Sequence, residues 1–280
     1  MMSKKASKPP LLIESECISV AWSKAIVSIY DGVGQEVSPM IVTITGFDQD
    51  GRPGEDSELR RALDQILSDC DEQSVDTVAF TIFPERLWRM SGGDRAKLFN
   101  LYKMAFPRYQ AMYRSLNNRG LYFERLTNFN TSTPCDGNQL EWILSNYHAK
   151  PGIRRSMFQA ATFDPARDHV SLPRLGFPCL QHLTFEPTAQ GLVANAFYAT
   201  QKMFIKAYGN YLGLAQLAAF MAHQMGIPLV RLNVMIGIAK LDELPKSNQY
   251  MKALVKAACE CINRKEQSFE RASNAAATAK

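Results

Sequence analysis

The chain has 280 residues, 46% of them hydrophobic, 21% charged and 10% aromatic, so it is long enough to bury a full-sized core and too apolar for a disordered or fibrous chain. Its formal net charge is +5, from 32 Lys and Arg against 27 Asp and Glu, mildly basic and short of the clustered footprint of a dedicated nucleic-acid binder. No apolar stretch approaches the roughly 18–20 residues of a membrane span, and the patch Leu11–Ile13 is too short for a secretory core, so a soluble, cytoplasmic protein without membrane contact is expected.

In chain order, residues 1–16 read as a flexible leader, with Lys, Ser and a Pro pair. Trp22 to Tyr30 has helical apolar spacing, and Pro39–Gly46 is a β-branched strand ended by the turn-rich FDQDGRPGEDS. A helix begins near Ser57, with apolar residues at Leu59, Ala62, Leu63, Ile66 and Leu67. Thr77–Phe83 is predicted as a second strand, and Ser91–Arg119 as helix interrupted at Pro107. A polar loop covers Thr127–Gly137. Residues 138–148 form an amphipathic helix, and 154–163 alternate like a strand. A hairpin pairs 180–185 with 192–198 around EPTAQG. Tyr211–Met225 is apolar nearly all round, as a core helix would be. Leu229–Ile236 is another strand, and a helix from about residue 247 frays by Ala275. The reading is α+β: a single domain over residues 17–265, with a mixed sheet flanked by helices and a frayed tail at 266–280.

Six scattered cysteines (Cys17, Cys70, Cys135, Cys179, Cys259 and Cys261) form no CxxC pair, so neither a zinc site nor a disulfide framework is expected. His148, His169 and His223 have no metal-ligand spacing either, and no metal is expected. His182 is offset three residues from Cys179, which on a strand argues against a Cys–His dyad. The aromatic and basic stretch Tyr102–Arg125 could meet nucleic acid, although such helices more often lie at protein interfaces.

Four features fall in order: Asn138-Gln139-Leu140, Pro151–Arg155 with its Arg pair, Asp164-Pro165 and Pro178-Cys179. The match continues through Gly191, Tyr198, a helix ending His223-Gln224, and the strand before Lys240. This ordered set, covering about residues 138–242, resembles the thymidylate synthase family. The resemblance implies a thymidylate-synthase-like fold and a homodimer packed sheet to sheet, its active sites shared across the interface. It makes Cys179 the nucleophile, a thiolate that adds to C6 of a pyrimidine nucleotide so that C5 can take a one-carbon unit. It makes Arg154 and Arg155 phosphate ligands in the neighbouring subunit's site, where guanidinium forks suit phosphate oxygens. It also suggests Glu58 as a proton-handling glutamate, Lys202 as a phosphate ligand, Asn210 or else Tyr211 as the base reader, and methylenetetrahydrofolate as donor. Taken residue by residue, the bland alternatives are a small apolar Cys179, a solvated Arg pair and a first-turn Glu58 that complements a helix dipole.

The chain departs from the family's pattern at the site itself. Where the family has an Arg-Ser-x-Asp run after Tyr198, this sequence reads Ala199-Thr200-Gln201-Lys202-Met203. The folate- and ribose-contacting segment is Ile236–Asp242, with Lys240 and Asp242 at the His and Tyr positions. The implied function is therefore C5 methyl or hydroxymethyl transfer on a pyrimidine nucleotide other than by dUMP methylation. The alternative is a non-catalytic nucleotide-binding or interaction subunit.

Overall fold

The computed structural model describes residues 9–112, 114–117, 119–130, 132–149, 152–169, 178–241 and 244–278. The strands are β1 (Leu11–Ser15), β2 (Glu36–Val37), β3 (Met40–Ile44), β4 (Gln159–Ala161), β5 (Leu180–Pro187), β6 (Leu192–Lys202) and β7 (Leu229–Lys240). The helices are α1 (Ile18–Asp31), α2 (Ser57–Asp69), α3 (Val75–Phe80), α4 (Glu85–Ser91), α5 (Arg95–Met112), α6 (Arg114–Asn117), α7 (Tyr122–Thr127), α8 (Gln139–Ala149), α9 (Pro165–Asp168), α10 (Tyr208–Met225) and α11 (Gln249–Thr278). The described residues build one seven-stranded mixed sheet in the order β1-β3-β7-β6-β5-β4, with β2 paired to β7. Among them, no helix is long and apolar enough to cross a membrane.

Strand alternation decides which face is covered. Ile13, Met40, Val42, Val234, Ile236, Ala196, Tyr198 and Phe185 point into the core. There α1 packs on β1 and β3, and α10 packs on β6 and β7. Both helices are apolar enough for that position: α1 buries Trp22, Ile26 and Ile29, and α10 buries residues on every side. The indole of Trp22 donates to the Met203 carbonyl at 2.8 Å, in the π-helical turn Met203–Ala207 that joins β6 to α10.

The alternate residues lie in register on the opposite face. Leu12, Ile41, Met235, Phe197 and His182 form one row across five strands. Leu12 and Met235 are 69% and 45% exposed, large values for apolar side chains. The adjacent row is polar and tied side chain to side chain. Thr43 Oγ1 donates to Asn233 Oδ1 at 2.9 Å, Asn233 to Asn195 at 2.8 Å, and Asn195 to Thr184 at 2.8 Å.

Several sequence expectations need correction. Leu11–Ser15, inside the segment read as a leader, is a strand paired in parallel with β3. Its partner lies some thirty residues away, so no local pattern announces it. Thr77–Phe83 is not a strand, since Val75–Phe80 is helical and Ser74 caps it by accepting from the Thr77 N–H. The reason lies in α10. A Cβ on Gly209 would stand 2.6 Å from Val78, and one on Gly213 would stand 2.6 Å from the Ala79 carbonyl, so the two glycines admit a second helix at close range. Residues 154–163 are a 3-10 turn (Arg155–Met157) followed by only three residues of strand. Pro107 does not interrupt α5, whose first turn is capped by Asp94 accepting from Ala96 and Lys97 N–H groups. The last helix runs to Thr278 rather than fraying by Ala275.

Candidate functional site

Cys179 stands one residue before β5, half-buried, and its carbonyl accepts from the Ala199 N–H of β6 at 3.0 Å. Burial pushes its thiol above the ordinary value, and the Lys202 ammonium at the end of β6 pulls partly against that. Two phenols lie beside it, and a third lies behind them. Tyr122, at the start of α7, accepts from the Leu180 N–H at 3.4 Å. Tyr198 stands cross-strand from Leu180, and Tyr211 lies in the first turn of α10. The Tyr198 phenol is in electrostatic reach of Cys179, Tyr122 and Tyr211, and burial holds it well above its ordinary value. The hydroxyls of Tyr198 and Tyr211, and both polar atoms of the Gln201 amide, are buried without a hydrogen-bond partner among the described residues.

Behind this cluster lies a network of the opposite kind. All five N–H donors of Arg125 are used: two bonds to Asp168 at 2.7 and 2.8 Å, one to the Thr162 carbonyl at 2.7 Å, and two to the Arg119 carbonyl at 3.1 and 2.8 Å. The pair is buried, with side chains 3% and 0% exposed. Burial would raise the Asp168 carboxyl, but hydrogen bonds from Arg125 and the Asp164 N–H hold it below its ordinary range. Thr162 in turn donates through Oγ1 to the Leu180 carbonyl. Gln139 at the start of α8 closes the network, donating to the Arg125 and Ala161 carbonyls at 3.1 and 2.8 Å and accepting from the Ala161 N–H at 2.8 Å. The fold thus fixes the backbone next to Cys179 from one side through the paired groups of Arg125, Asp168, Thr162 and Gln139, while the neighbouring Glu124 Oε2 is buried without a hydrogen bond.

Of the residues singled out from sequence, the structure brings together Cys179 and Lys202. Glu58 is elsewhere: it is exposed in the first turn of α2, and its carboxylate pairs with Arg264 of α11 at 3.0 Å. Asp56, the cap of α2, takes the same guanidinium at 2.8 Å, so this acidic pair serves to dock α11. Arg154 and Arg155 are exposed, and Arg155 donates to the Pro187 carbonyl at 3.4 Å. Pro187 ends β5, and the eight-residue strand spans about 23 Å at a rise of roughly 3.3 Å per residue, so the Arg pair lies at the far end from its own Cys179. Asn210 is buried in the first turn of α10, and it is Tyr211, its neighbour, that stands beside Tyr198. His182 bonds to Gln159 at 3.0 Å, away from Cys179. Tyr102 and Arg125, the ends of the stretch considered for nucleic acid, are both 2% exposed, which removes them from any such surface. Asp242 lies outside the described residues.

Tyr122 escaped the sequence reading. A tyrosine opening a six-residue helix carries no local signal; only the packing of α7 at the start of β5 brings its hydroxyl to the Leu180 N–H. A separate groove of about 1010 Å³ runs between the 49–55 loop, α4 and α10, over Trp88, Phe220 and His223. Cys179 is not part of it, and its arginines are matched by carboxylates: Arg52 with Asp50, Arg89 with Glu85, and Arg60 with Glu55, Asp64 and Asp76. Among the described residues no group of three or more His, Cys, Asp or Glu could hold a metal ion. No protein-family model matches the chain, and no curated protein matches it.

Proposed function

We propose that the protein is a divergent, thymidylate-synthase-like enzyme that binds a pyrimidine nucleotide beside Cys179, with the thiolate adding to C6 of the ring. The observation that carries this reading is the setting of Cys179, a half-buried thiol at a strand start whose surroundings hold polar atoms that lack partners. In the addition step the Cys179 proton leaves to solvent. The S–C6 bond forms, the C5–C6 double bond opens, and its electron pair is delocalised from C5 onto the ring carbonyl or imine. C5 can then take an electrophile or a solvent proton, and loss of a C5 proton expels the thiolate and restores the ring.

The Arg pair supports a dimer within this reading. About 23 Å from their own cysteine by the length of β5, Arg154 and Arg155 can serve a Cys179 site only in a second copy. The uncovered sheet face, with exposed Leu12 and Met235 and a satisfied Thr–Asn–Asn–Thr row, is the surface on which the two copies would meet.

A folate donor fits these residues poorly. Gly237 lies against the Ala199 carbonyl, which a Cβ would approach to 2.7 Å, and Lys240 is exposed and drawn toward Glu36. The C-terminal helix is committed to α1 and α2, burying Met251, Leu254 and Ala258 there. No step is therefore derived through methylenetetrahydrofolate.

One observation favours the second reading, a non-catalytic nucleotide-binding or interaction subunit: burial keeps the resting Cys179 thiol protonated, with Lys202 its only cationic influence among the described residues. Mass spectrometry after incubation with 5-fluoro-dUMP and 5-fluoro-dCMP separates the two. The enzyme reading expects a covalent adduct that Cys179→Ser abolishes. Absence of an adduct from both, alongside measurable nucleotide binding, favours the subunit.

A further inference from the structure

Tyr198 and Tyr211 are both 0% exposed, and neither hydroxyl has a partner among the described residues. Phenylalanine would fill either place with nearly the same shape and no unpaired group, so each hydroxyl, like that of Tyr102 elsewhere in the core, is a buried group open to a partner from outside the chain. Their position says where. Tyr198 faces the residue after Cys179 across the β5–β6 pair, Tyr122 reaches the same peptide from α7, and Tyr211 comes up from α10. Gln201, three residues further along β6 and 1% exposed, is another buried group of that strand, its amide oxygen and nitrogen both without a partner among the described residues. All of these groups are neutral, and each can donate and accept.

Resting on the reading that a pyrimidine nucleotide binds beside Cys179, we propose that Tyr198 and Tyr211 determine base specificity: their hydroxyls hydrogen-bond the edge of the ring and accept a 4-oxo and a 4-amino pyrimidine alike. A phenol O–H rotates about its C–O bond, donating to the carbonyl of uracil or accepting from the amine of cytosine. A carboxylate can only accept and an ammonium can only donate, so either would force a choice between the two rings. The side chains here force none.

Isothermal titration of dUMP and dCMP into the parent protein and into Tyr198→Phe and Tyr211→Phe tests this, with thermal melting as the control for folding. The expected result is affinities for the two nucleotides within about tenfold of each other in the parent, and a loss of roughly ten- to hundredfold toward both in each Phe variant, the worth of one buried hydrogen bond. A hundredfold preference of the parent for one base overturns the inference. So does unchanged affinity in folded Tyr198→Phe and Tyr211→Phe. Both results leave the functional reading standing, whereas failure of the parent to bind either nucleotide overturns that reading and the inference with it.

Discussion

Two buried polar regions meet at the backbone beside Cys179, and they are built on opposite principles. Around Arg125 every donor has an acceptor, and the charge is neutralised by a fully buried carboxylate. Around Tyr198 and Tyr211 the polar atoms are equally buried, carry no charge and lack partners. A satisfied network spends its hydrogen bonds on fixing the chain, and an unsatisfied one holds them in reserve for a ligand. The difference separates a side of Cys179 that is fixed by its own bonds from the side on which the proposed nucleotide would bind, a distinction that residue type alone does not make.

The sharpest way to break the comparison is at the scaffold. Asp168→Ala strands the Arg125 guanidinium in the core, and the expected loss is about 3–5 kcal/mol in urea unfolding, enough to lose the fold in a protein of ordinary stability. A loss below about 1 kcal/mol would mean that the pair is not a structural fixture. Gln139→Ala removes three hydrogen bonds to backbone groups of α7 and β4, and should cost about 1–3 kcal/mol in the same assay.

Acid probes the same side. The folded Asp168 carboxyl lies below its ordinary range, so its contribution is fully present above that range and is lost as pH falls from about 4 toward the folded value. Stability measured by denaturant midpoint should drop on that limb, and the drop should shrink in Asp168→Asn. The smallest stability effect, of opposite sign, belongs to the site. Without ligand, Tyr198→Phe and Tyr211→Phe should leave the melting temperature unchanged or raise it by a few degrees, since each deletes a group that the empty protein leaves unpaired. A marked fall would show that these hydroxyls are bonded inside the chain, and the distinction between the two regions would collapse.

Much of the frame could be read from sequence because it rests on local signals. The Ser57 helix, the 139–149 helix, the hairpin around EPTAQG, the apolar α10 and the β7 run all show in spacing and turn residues. The failures have a common physical origin in long-range packing. Leu11–Ser15 becomes a strand only because β3 offers it an edge, and Val75–Phe80 becomes a helix because Gly209 and Gly213 leave room on α10. At the site, Cys179 stands out by its neighbours in sequence, and Lys202 comes with it. Glu58 shows the limit of that approach: an acidic residue in a first turn looks the same whether it handles a substrate proton or, as here, holds Arg264. Arg125 shows the converse, since a basic residue among aromatics reads as surface until its five donors are traced into the core.

The central claim is that Cys179 can open the double bond of a pyrimidine ring. Exchange of the C5 hydrogen with solvent reports that step without any one-carbon donor, because addition of the thiolate lets C5 take a deuteron and elimination then returns the labelled nucleotide. Proton NMR of dUMP and dCMP in D2O with catalytic protein should show the C5 signal decaying with time, and Cys179→Ser should reduce the decay to that of the buffer. A C5 signal that persists with the parent protein, under conditions where titration shows the nucleotide bound, would contradict the account and leave Cys179 a buried thiol beside a binding pocket.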